Sequence, residues 1–220
     1  MSTINMPRRF GVLGSGQVGQ TLAKGLLRHG YEVRIGTRSP GKLADFSRET
    51  GIPEASFSEV ATWSDAIVLA VQGTAATAAM ELAGSANLAG KAVLDTCNPI
   101  AEGQPPQDGV LRFFTGPNES LMERLQLAVP AAKLVKVWSS VGAGLMVNPA
   151  LPSGRPTMFI CGNDADAKAM VTHLLDQFGW DSEDMGKATA ARAIEPLCQL
   201  WCIPGFLRND WMHAFRMVRP

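Results

Sequence analysis

Gly14, Ser15, Gly16, Gln17, Val18 and Gly19 form a glycine-rich turn between the apolar run Arg9 to Leu13 and a segment, Gln17 to Arg28, with helical apolar spacing at Val18, Leu22, Leu26 and Leu27. A strand that leaves through such a turn into a helix is strongly constrained. The first glycine allows the tight turn, the second lets a ligand approach the backbone, and the third lets the helix pack closely on the sheet. The unpaired amides at the helix start then attract a pyrophosphate. In this context the motif predicts a dinucleotide-binding α/β fold.

The next predicted strand, Tyr31 to Gly36, runs into Thr37, Arg38 and Ser39. About 20 residues past the glycines an acidic side chain would bind an NAD ribose. No acid stands there. Thr37 and Ser39 offer hydroxyls, Arg38 a planar fork suited to phosphate, and Lys42 a further positive charge. The set points to the 2'-phosphate of NADP(H), against the plainer reading of Arg38 and Lys42 as a solvated turn and helix start.

With 20 basic and 20 acidic residues in 220, the chain has no net charge to favour nucleic acid or an anionic membrane. Its length suits one domain: a nucleotide-binding core over about residues 1–143 and an extension over about 144–220. The segment Met1 to Arg9 lacks a secretory apolar core, and no run approaches the ~18 apolar residues of a membrane span. A cytoplasmic protein is expected. Cys97, Cys161, Cys198 and Cys202 have no metal-ligand spacing and read as buried, reduced thiols, with no metal site expected.

Strand patterns recur at Asp65 to Val71, Lys91 to Asp95 and Lys133 to Trp138, and helical ones at Lys42 to Glu49, Thr74 to Ala83 and Glu119 to Leu127. Phe57 to Trp63 reads as a short connection. The alternation predicts a doubly wound parallel sheet of the Rossmann kind. The extension reads as a strand at Thr157 to Cys161, a helix from Asp164 to Gln177 with Asp164 as N-cap, and a strand near Trp180 to Asp184. From Ala188 to Val218 the pattern is helical, apolar on more than one face and interrupted by Pro196 and Pro204, which suggests a homodimer contact.

Ligands of such sheets bind at the carboxyl ends of the strands. That rule gathers Gly14 to Gly19, Ala70 to Gly73, Cys97 to Pro99 and Trp138 to Ala143, including Val71, Gln72, Asn98, Ser139 and Ser140. Gly14 to Gly19, Gly36-Thr-Arg-Ser39 with Lys42, Asp95-Thr-Cys-Asn-Pro99, Val137 to Pro149, Phe159 to Asp164 and Ala191 to Leu197 resemble the coenzyme F420-dependent NADP oxidoreductases. They more distantly resemble the cytoplasmic domain of six-transmembrane metalloreductases. The resemblance implies NADP(H) over the glycine turn, its 2'-phosphate at Thr37, Arg38 and Lys42, and its nicotinamide near Val71, Gln72, Asn98 and Ala143. The chain departs from the family pattern at Trp138-Ser139-Ser140 and at Gln72 to Ala75.

Hydride transfer to a flat acceptor such as F420, FAD or FMN needs orientation more than titratable side chains. Trp138, Met146 and Asn148 are candidate walls of an acceptor pocket, with Ser139 and Ser140 as hydrogen-bond donors; Trp138 reads equally well as core. His29, His173 and His213 have no ligand-spaced partners and read as structural. Two rivals stay open: a hydroxyacid or imine reductase, and an NADP(H)-sensing module without turnover.

Overall fold

The computed structural model describes residues 6–220; the first five positions of the N-terminal segment read above lie outside the described residues. In chain order the strands are β1 (Arg9–Leu13), β2 (Glu32–Gly36), β3 (Glu54–Ala55), β4 (Ala66–Leu69), β5 (Ala92–Asp95), β6 (Lys133–Lys136), β7 (Thr157–Gly162) and β8 (Asp181–Asp184). The helices are α1 (Gln17–Arg28), α2 (Ala44–Thr50), α3 (Phe57–Trp63), α4 (Ala76–Ala83), α5 (Ser85–Leu88), α6 (Leu121–Ala128), α7 (Ala165–Gln177), α8 (Ala191–Ile194) and α9 (Pro196–Arg208). The strands form one sheet in the order β3-β2-β1-β4-β5-β6-β7-β8.

From β3 to β6 every pairing is parallel, the doubly wound arrangement expected. Side chains along β1 and β4 alternate between two core layers. Phe10, Val12, Ala66 and Val68 join the layer that includes Leu22 and Leu26 of α1, while Leu13, Ile67 and Leu69 join the layer of α3 and α4. Burial of all four β4 side chains explains its unbroken apolar sequence.

The structure departs from expectation in three places. β7 enters antiparallel to β6, with Val135 opposite Gly162, so the sheet is mixed beyond β6. Phe57–Trp63 is a helix rather than a connection, started by a capping box in which the Ser56 hydroxyl accepts from the Glu59 amide and the Glu59 carboxylate accepts from the Ser56 amide. The helical pattern read to Val218 stops at Arg208, where Asn209 turns left-handed at φ 55°. Beyond it the chain folds back without regular structure: His213 stacks on Trp201 with ring centroids 5.1 Å apart, and the Phe215 carbonyl accepts from the Thr157 amide at 2.9 Å. Among the described residues no helix is long and apolar enough to cross a membrane.

Candidate functional site

The crevice begins where β1 ends. Gly14 has φ 136°, and a Cβ there would strike the Ala70 carbonyl; a Cβ on Gly19 would strike the Gly14 carbonyl, so α1 sits directly against the turn. The Gln20 side-chain amide donates to the Ser15 carbonyl at 2.9 Å and holds the turn's shape. Gly16 is the N-cap of α1 and faces open space where a Cβ would fill the cradle. With no cap side chain and no acid in its first turn, α1 leaves its leading amides for an external anion.

On one side of this turn lies a cavity of about 330 Å³ bounded by Gly14, Ser15, Gly16, Thr37, Arg38, Ser39, Lys42 and the Ala70–Gln72 strand exit, with Phe57 and Leu82 as its apolar wall. Thr37 is buried, donates its amide to the Ala55 carbonyl at 3.1 Å and accepts from the Ser39 amide at 3.1 Å. Glu54 of β3 accepts the amides of Gly41 and Leu43, the latter at 2.7 Å, and so fixes the loop. Arg38 and Lys42 are exposed at its rim, and neither joins an ion pair among the described residues. Two uncommitted cations beside buried and exposed hydroxyls suit a phosphate dianion.

A second cavity, about 390 Å³, shares Gly16, Ala70, Val71 and Gln72 with the first. Its walls add Gln17, Val18, Gly73, Thr74, Thr96, Cys97, Asn98, Ile100 and Glu102, the one charged side chain in the lining. Asn98 donates its side-chain N–H to the Ser139 carbonyl at 2.7 Å, while its Oδ1 is buried with no partner among the described residues. A partnerless acceptor on a residue of the lining fits an amide-bearing ligand. The residues present therefore fit a dinucleotide, with its charged half at Arg38 and an amide-bearing half at Asn98.

Some predicted residues lie elsewhere. Gly19 underlies the turn, Pro99 is buried, and Ala143 begins a short 3-10 turn; none of them lines either cavity. The acceptor candidates do not come to these walls either. Trp138 takes φ 54° at the end of β6, which turns its ring inward to within 5.7 Å of Phe178, where it is 1% exposed. Met146 is core, its carbonyl accepting from the Trp180 indole at 3.1 Å. Ser139 and Ser140 are buried, and Asn148 is exposed, its backbone amide donating to the Phe178 carbonyl. His29 lies against Phe178, His173 beside Gln177 and His213 on Trp201.

Beneath the second cavity is a charged cluster that no local spacing announces. Lys136, fully buried at the end of β6, reaches Asp95 at 2.7 Å and Glu195 at 2.9 Å, and donates to the Cys97 carbonyl at 2.8 Å. Burial alone would pull the lysine pKa down; the two carboxylates outweigh it and hold it above the ordinary lysine value. Burial also raises the Cys97 thiol and pushes Cys161 up to about 12. All four cysteines are buried and free.

Fold and crevice together define a Rossmann-type dinucleotide-binding protein. A family model described as NADP oxidoreductase, coenzyme F420-dependent, matches residues 9–99. A solved structure from Arthrobacter sp. FB24, a candidate F420-dependent NADP reductase, is 35% identical with a TM-score of 0.89, covering 96% of this chain and 99% of that one. The chain belongs to the coenzyme F420-dependent NADP oxidoreductase family and is an NADP-dependent oxidoreductase. The metalloreductase STEAP3 of Rattus norvegicus is 29% identical over 90% of this chain, which spans only 39% of that protein's length. An imine reductase from Streptomyces aurantiacus, 16% identical with a TM-score of 0.63, covers 90% of this chain and is itself covered to 62%; the likeness is one of fold.

Proposed function

We propose that this protein moves a hydride between NADP(H) and a flat, flavin-like acceptor: the deazaflavin F420, FMN or FAD. The observation that carries this reading is the pair of cavities joined across Gly16 and the Ala70–Gln72 strand exit, one rimmed by free cations and the other walled mainly by uncharged groups. Gly16 and the α1 amides receive the pyrophosphate, Thr37, Arg38, Ser39 and Lys42 the 2'-phosphate, and Asn98 Oδ1 the carboxamide. When bound, NADPH supplies the hydride. The protein's part is to hold donor and acceptor about 3–3.5 Å apart and exclude water. A delocalised acceptor carries its own developing charge, so a lining whose one charged side chain is the Glu102 carboxylate accords with this chemistry.

The test is single-turnover mixing with NADPH and each of F420, FMN and FAD. Absorbance loss at the nicotinamide matched by acceptor reduction is the expected result. Tight NADPH binding with no oxidation by any of the three would instead favour the sensing module. We further propose that the protein works in the cytoplasm as a homodimer, with the exposed Leu200 and Leu207 of α9 facing a second copy. Sedimentation of the wild-type protein at micromolar concentration tests the dimer.

A further inference from the structure

Lys136, Asp95 and Glu195 are each almost wholly removed from solvent, yet two carboxylates face a single ammonium. Backbone amides take up the surplus negative charge. Asp95 accepts from the Cys97 amide at 2.9 Å, and Glu195 accepts from the Leu121 and Met122 amides at 2.9 and 3.0 Å, the first turn of α6. Apolar residues of similar volume commonly replace a buried ion cluster without loss of stability, so its presence calls for a role other than cohesion. What hydrocarbon could not do is aim a carbonyl. Lys136 takes the Cys97 carbonyl, the Ser139 carbonyl takes the Asn98 side-chain N–H, and the buried Oδ1 of Asn98, a residue of the cavity lining, is left without a partner among the described residues.

We propose that Glu195 is a positioning residue for hydride transfer: by anchoring Lys136 it holds the Thr96–Asn98 turn in the shape that receives the nicotinamide half of the cofactor. The inference rests on the reading that this half lies against Asn98. Glu195 belongs to the C-terminal extension, between α8 and α9, and is remote in sequence from both cavities. The same segment braces the neighbouring turn as well. Trp201 of α9 packs on Gly142, where a Cβ would run into its ring. The extension thus supports the two turns that follow β5 and β6 from behind.

Adenosine 2',5'-bisphosphate spans the Arg38 side alone, so it serves as an internal control for NADPH. In Glu195→Gln the amide keeps the shape and one acceptor for α6 but withdraws the charge from Lys136. The bisphosphate should bind within about twofold of wild type, NADPH about tenfold more weakly, and single-turnover hydride transfer should slow by about 10- to 100-fold, the scale of a small misplacement of reacting groups. Glu195→Asp keeps the charge but draws it back by one methylene; it should fall between the two and carries the measurement if Glu195→Gln does not fold. Equal weakening of both ligands, or transfer within twofold of wild type in a folded variant, overturns the proposal. Wild-type protein that binds NADPH no better than the bisphosphate and reduces no acceptor overturns the parent reading too, and does so without any variant.

Discussion

Arg38 has no side-chain hydrogen bond or ion pair among the described residues, so its removal should act on the ligand alone. Arg38→Ala is expected to cost about 1.5–3 kcal/mol of NADPH binding, the scale of a hydrogen bond to a charged group, and to leave NADH binding nearly unchanged. Titration of both nucleotides by fluorescence checks it; equal losses would remove the 2'-phosphate assignment. Gly14 is the opposite case, since its backbone is part of the architecture. Gly14→Ala must adopt φ 136° and push against the Ala70 carbonyl. The backbone strain alone is on the order of 1–3 kcal/mol. Urea unfolding should register that loss, and the NADPH affinity of the folded fraction should fall with it.

Among the elements, the cluster beneath β5 and β6 makes the sharpest prediction. Lys136→Met leaves Asp95 and Glu195 buried against each other without their cation and should cost about 3–5 kcal/mol in urea unfolding. How far each element was legible in the sequence follows from the range of its determinants. The β1–α1 turn could be read because the glycine spacing, strand and helix lie within one stretch of chain. Ser56 and Glu59 carry a readable cap signal, but the seven-residue helix they start is short enough to resemble a connection. The direction of β7 could not be read, because it depends on how the loop after Trp138 crosses the sheet, and a single residue at φ 54° starts that path. The cluster was equally hidden: Asp95, Lys136 and Glu195 come from three separate segments and meet only when the α8–α9 junction packs against β5, β6 and the start of α6. Glu54 was missed for the same reason, since its role in the Arg38 loop depends on β3 lying beside β2.

Across the whole molecule, several carboxylates are held below their ordinary range: Asp65 by Arg9, Glu123 by Arg192, and Asp164 by the Ala167 amide at the start of α7. A carboxylate whose folded pKa is depressed contributes stability that is present above its unfolded value and lost as pH falls through the folded one. Thermal stability should therefore hold on the neutral side and decline below about pH 4. Asp65→Asn should flatten part of that acid decline, read as melting temperature against pH. The reversed course of β7 has a further, practical result. Its exit and the start of α7 lie at the edge of the sheet opposite the crevice, roughly 15 Å away at about 3.3 Å per strand residue. Because all four native thiols are buried, Ala165→Cys at that exposed edge would offer one site for a maleimide dye, a reporter of tumbling and assembly placed where it leaves nucleotide exchange undisturbed.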